Sequence, residues 1–251
     1  MTRAVAGPRR TAFRWTTIVL GVALGIGTFA LVGLVSAWFV GGEREIHRVH
    51  DLAWGALGGL LLALPMILQG WSPERRVALM QQIVLASVAV TVAGLLSDNL
   101  IMLVTLAIAA LLIWLHPARG SLLARGPLHP GLAALAVVAA VPLVVYALGQ
   151  TEIARACPPG DIDPHCQELH WTMMSALALG IPLVGLGAAL RAPGWRMVAR
   201  IVAGAALVLG LASLVFPEHV SALDTAWAAV TIAGALAYAG MAEWAGRRSP
   251  G

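Results

Sequence analysis

Lysine is missing from this 251-residue chain; all 16 basic residues are Arg. Without a Lys amine there is no Schiff base, which excludes a retinal-type pigment. Charge of either sign is scarce, at 11% of residues, against 59% hydrophobic residues and a mean hydropathy of +0.85. So few charges cannot cover a water-facing surface. There are two Cys and no polar tails, Ser-rich linkers or low-complexity runs. A Walker loop, an HExxH pair, a nucleophile elbow and a basic stripe for nucleic acid are also absent. Gly25-Ile26-Gly27-Thr28-Phe29-Ala30 resembles a dinucleotide fingerprint, but it lies inside an apolar run and follows no strand.

What is present is a succession of apolar runs, so membrane lipids are the expected surroundings. They cover Trp15 to Val40, Leu52 to Gly70, Val77 to Leu96, Asn99 to Leu115, Gly131 to Gly149, Trp171 to Leu190, Met197 to Phe216 and Ser221 to Trp244. Each is near the roughly 20 residues that cross a bilayer as a helix. The expected fold is an all-α polytopic membrane protein of eight transmembrane helices. The run from Asn99 is the shortest, and Ser97-Asp98 is a weak boundary before it, which leaves six or seven spans as the alternative.

Charge placement gives the orientation. With the N-terminus inside, cytoplasmic segments carry 13 Arg, and only Arg44, Arg48 and Arg155 fall outside. Acidic residues are biased the other way, with only Glu74 and Glu243 inside. This satisfies the positive-inside rule with both termini cytoplasmic, in a cell membrane. The nine Trp fall near helix ends, as an interfacial belt requires.

An offset of 120 residues aligns His50 with His170, Pro73 with Pro193, Arg76 with Arg196, Asp98 with Glu218 and Thr105 with Thr225. Such pairs suggest an internal repeat of two tandem four-helix bundles, 1–120 and 121–251. Four helices per half give both halves the same orientation. Gly21 with Gly25, and Gly55 with Gly59, read as small faces for close helix packing.

The polar residues gather at the outer side. His47, His50, His165, His170 and His219 lie in outer loops or at outer helix starts, whereas His116 and His129 share a cytoplasmic loop. His47 and His50 are three apart and share a face if the second helix begins early. Glu43, Glu45 and Asp51 flank them, with Asp98, Glu218 and Asp224 at neighbouring helix ends. This set is compatible with a metal site including Asp98 and Glu218, with a proton relay, or with a wet surface whose His merely cap helices. Cys157 and Cys166 share the outer loop from Gln150 to Glu168 and read as a disulfide, with redox exchange or a zinc site with His165 as alternatives.

Eight helices, two halves, His at the outer starts of helices two and six, and paired Cys before helix six together resemble the heme A synthase family. His50-Asp51-Leu52-Ala53-Trp54-Gly55 is similar to that family's His-x-x-Ala-x-Gly start of helix two, and Gln82 through Asn99-Leu100-Ile101-Met102 to its helix three and the turn into helix four. The resemblance implies a haem or redox function at the outer face, with His50 and His170 as haem ligands and His47 or His219 as substitutes. The family's second ligands, in helices four and eight, correspond here to Thr105 and Thr225. A transporter or lipid-handling protein, a non-catalytic envelope assembly partner and a metal-dependent lipid hydrolase are the other readings.

Overall fold

The computed structural model describes residues 7–39, 41, 46–157 and 164–247, and the regular structure among them is entirely helical. Among the described residues seven helices are long and apolar enough to cross a membrane: α1 Pro8–Ser36, α2 Arg48–Gln69, α3 Val77–Leu96, α5 Pro130–Ala156, α6 His170–Ala189, α7 Trp195–Val215 and α8 Thr225–Arg247. The remaining apolar run forms a shorter helix, α4 Leu100–Leu115. It rises only about 24 Å at 1.5 Å per residue, less than the hydrocarbon thickness of about 30 Å.

Local chemistry sets these boundaries. Pro8 and Pro130 occupy first-turn positions, where the missing N–H leaves no bond unmade. His129 Nδ1 accepts from Leu132 N at 3.2 Å to cap α5, and Asp224 Oδ1 accepts from Trp227 N at 3.0 Å to cap α8. The last helix therefore begins at Thr225, later than its apolar run, and leaves Ser221 in the preceding turn. At the other end, α2 begins at Arg48, before its apolar run, with His47 as its cap. Asp98, at φ 56°, stops α3. Gly194, at φ 88°, turns the chain between α6 and α7, and a Cβ there would lie 3.0 Å from Arg76 Cα.

Four helices form the centre. In α2, α3, α6 and α7 between 61% and 72% of the apolar window is buried, against 22% in α1, α5 and α8. α2 packs on α7 and α3 on α6; α1 lies against α2, α4 against α3, α5 against α6 and α8 against α7. Ala78 N donates to Pro193 O at 2.9 Å, so the α2–α3 and α6–α7 turns meet at one end. Small residues allow the close approaches: a Cβ on Gly21 would lie 2.9 Å from Ala63 O, and one on Gly55 2.9 Å from Ala30 O. The peripheral helices turn large apolar side chains outward, among them Val138, Val141 and Val145 of α5. In water such a surface would drive association; in lipid it is the solvent-matched face.

Candidate metal centre

At the end of the bundle opposite the Ala78–Pro193 contact, three chain segments bring four imidazoles together. His47 and His50 stand at the start of α2, His170 is the first residue of α6, and His165 lies on a single helical turn, Pro164–Gln167. One ligand nitrogen from each lies within 4.8 Å of every other. The His50 and His170 rings stack at 4.7 Å with 7° between their planes, and His47 and His165 face each other at 4.5 Å. His50 and His170 are buried, His47 and His165 half-buried, and Trp171 meets the His50 ring edge-on at 5.3 Å.

Each segment has a local reason to be there. One helical turn puts His47 and His50 on the same face of α2. Leu169, at φ 60°, turns the chain immediately before α6 and aims His170 inward. His165 is held beside the end of α5 by the Cys157–Cys166 disulfide, whose Cα atoms are 5.8 Å apart. The disulfide expected from the sequence is thus present and ties the turn that carries the fourth histidine to the end of α5.

Hydrogen bonding assigns the rings' protons. His50 Nε2 lies 2.7 Å from Ser221 Oγ, and the Ser221 hydroxyl donates to Gln150 Oε1 at 3.1 Å. Its one proton being so committed, Ser221 accepts from His50 Nε2–H. The His50 lone pair is therefore on Nδ1, which is buried with no hydrogen-bond partner; His47 Nδ1 is in the same position. His170 Nε2 faces the Glu168 carboxylate at 3.1 Å, which favours a proton there and the lone pair on Nδ1. One ring N–H held by hydroxyl or carboxylate, with the lone pair left on the other nitrogen, is the arrangement that metal-ligating histidine adopts. Left unfilled, each buried acceptor costs about 1–3 kcal/mol, and a bound ion recovers more than that.

Other sequence candidates fall elsewhere. His219 sits in the turn before α8 with its ring 5.6 Å from Phe216, outside the four-nitrogen group. Asp98 is exposed and pairs with Arg155 at 3.5 Å, and Glu218 is exposed. Neither belongs to the converging set. Glu43 and Glu45 lie outside the described residues. Ser221 and Gln150 carried no sequence signal, since their role exists only through contacts 171 and 71 residues distant in the chain. His165 is marked in the sequence by its place in the outer loop, beside Cys166.

The fold and site together define a helical protein with membrane-spanning character and a cluster of nitrogen donors at one end. No family model matches the chain, and no curated protein or solved structure matches it either.

Proposed function

We propose that this is an integral membrane protein that binds one late first-row transition-metal ion through His47, His50, His165 and His170. The observation that carries this reading is the convergence of four imidazoles, two of them with buried Nδ1 atoms that no hydrogen bond satisfies. Imidazole suits zinc, copper, iron and nickel. A tetrahedral site with metal–nitrogen bonds of about 2.0–2.1 Å has nitrogen–nitrogen edges of about 3.4 Å, so separations of up to 4.8 Å close by small side-chain rotations.

A bare ion fits this cluster better than haem. A porphyrin between His50 and His170 would need its plane free on all sides, whereas the His165 ring stands 5.0 Å from His50 and 5.5 Å from His170, and the His47 ring 4.9 Å from His170. We further propose eight spanning helices in two related halves, 1–120 and 121–251, with α4 crossing where the bilayer thins locally. The parallel between the pairs α1–α2, α3–α4 and α5–α6, α7–α8 supports this, as does the stacking of His50 on His170, which the 120-residue offset relates. In this reading both termini are cytoplasmic and the histidines lie at the outer face, which the Arg distribution supports through the positive-inside rule.

Purified protein equilibrated with zinc or copper and then freed of excess ion is expected to retain about one ion per chain by elemental analysis. His50→Ala and His170→Ala are expected to retain almost none. Wild-type protein without retained ion, but with a Soret band, overturns the metal reading in favour of haem.

A further inference from the structure

A second feature adjoins the cluster. Between α5, α6, α7 and α8 lies a cavity of about 940 Å³, within the size range of small-molecule sites. Its walls are almost wholly aliphatic, and they include Val138, Val141 and Val145 of α5 and Val230 of α8, all strongly exposed on the peripheral face. The cavity therefore opens sideways, towards lipid. The Tyr238 hydroxyl is committed to Gly185 O at 2.6 Å and that of Tyr146 to Ser221 O at 2.6 Å, so neither presents a spare proton to an occupant.

Polar groups collect at the histidine end. Gln150, about nine-tenths buried, accepts from Ser221 at Oε1 and lines the cavity. The Asp224 carboxylate and the Trp227 indole line the same end. No Arg or His is among the lining residues, and a carboxylate is. That charge pattern rejects a phosphate headgroup and suits a neutral one bearing hydroxyl or carbonyl oxygen.

Length narrows the tail. From Leu135 to Gln150 the α5 wall runs about 22 Å at 1.5 Å per residue. A single leaflet supplies only about 15 Å of hydrocarbon, half the bilayer core. An occupant that fills the cavity reaches past the midplane, which suits a polyprenyl tail better than an ordinary acyl chain.

We propose that this cavity binds a polyisoprenoid lipid with a neutral oxygen-bearing headgroup, the headgroup lying against Gln150, Asp224 and Trp227. The headgroup is then separated from the histidine cluster only by the chain Gln150–Ser221–His50. Its presentation to a metal ion rests on the preceding reading; the binding itself does not. An isoprenoid quinone and a polyprenol share the required chemistry.

The test uses the full chain in phosphatidylcholine bilayers doped with ubiquinone-10 or with undecaprenol. Lipid retained through mild-detergent gel filtration is quantified by mass spectrometry. One of the two lipids is expected at about tenfold enrichment over its bulk fraction, and the lipid enriched identifies the source. Gly234 lines the cavity with nothing within 4 Å of a Cβ built there, so Gly234→Trp fills the space without a backbone clash. Gly234→Trp and Gln150→Leu are each expected to return retention to the bulk ratio. Should Gly234→Trp fail to fold, Val138→Trp at the exposed mouth serves instead. Retention of both lipids at the bulk ratio by wild type, preferential retention of phosphatidylcholine, or enrichment undiminished in the filled variant overturns the proposal. His50→Ala separates the two readings, because it is expected to lose the ion and keep the lipid.

Discussion

The two ends of the bundle both hold histidine, and they use it differently. At the end where the α2–α3 and α6–α7 turns meet, His116 Nδ1 accepts from Ala118 N at 3.1 Å and His129 Nδ1 accepts from Leu132 N at 3.2 Å. Each lone pair is consumed by the backbone, and each ring does a structural job: His116 closes α4 against Phe13, and His129 caps α5. At the opposite end, the Nδ1 atoms of His47 and His50 are buried and meet no donor. What separates a structural histidine from a proposed ligand here is where the lone pair goes, since His116 and His50 are both fully or almost fully buried.

That contrast can be broken by exchange of roles. The largest effect is expected from His50→Ala or His170→Ala, which should remove the ion from about one per chain to near zero in elemental analysis, whereas His129→Ala should leave the ion in place and lower thermal stability. Retention of the ion by both cluster variants would falsify the contrast. Next comes Ser221→Ala, which leaves all four ligands but frees the His50 ring to rotate. A fall in metal affinity of about 10- to 100-fold in competition with a chelator is expected; an unchanged affinity would mean that Ser221 does not orient the ring.

A smaller effect is expected from the double substitution Cys157→Ser with Cys166→Ser. The disulfide closes a short loop, with a sequence separation of 9, whose constraint is worth about 2–3 kcal/mol in the chain-entropy description. Its removal should loosen His165 alone and cost about tenfold in metal affinity, with the three helix-borne ligands remaining. A loss as complete as that of His50→Ala would instead make the loop the main determinant of the site.

The smallest effect concerns the structural end. Burial beside Phe13 holds the His116 imidazole below its ordinary pKa of 6.5. The unfolded chain then binds the proton more readily, so stability is full above the unfolded value and falls as pH drops through it. With chelator present throughout, wild-type melting temperature in detergent should decline between about pH 7.5 and 5.5 more than that of His116→Leu. Parallel curves would remove the contribution of His116.

Much of this was legible because long apolar runs leave few alternatives to helices in lipid. The run from Asn99 was correctly marked as the shortest: Asp98 in the left-handed region and Pro117 after His116 leave α4 no room to extend. The gathering of His47, His50, His165 and His170 at one end was legible through loop asymmetry, as was the shared face of His47 and His50. Convergence was not. His219 precedes α8 as His47 precedes α2, yet a turn packs it on Phe216. His165 stands beside a cysteine bonded to the end of α5, and periodicity carries no information about such a link. The cavity is likewise invisible in one dimension, because its lining residues are the same Ala, Val and Leu that fill the helices everywhere.

The hydrogen bond from His50 to Ser221 joins positions 171 residues apart. During synthesis the first two histidines emerge and insert long before the turn that orients one of them has been made. A chain interrupted anywhere before that turn has its early helices but an unsteered ligand ring. Completion of the site thus requires synthesis to have passed Ser221, and its spectroscopic signature would report arrival of the turn before α8 rather than of the first helices.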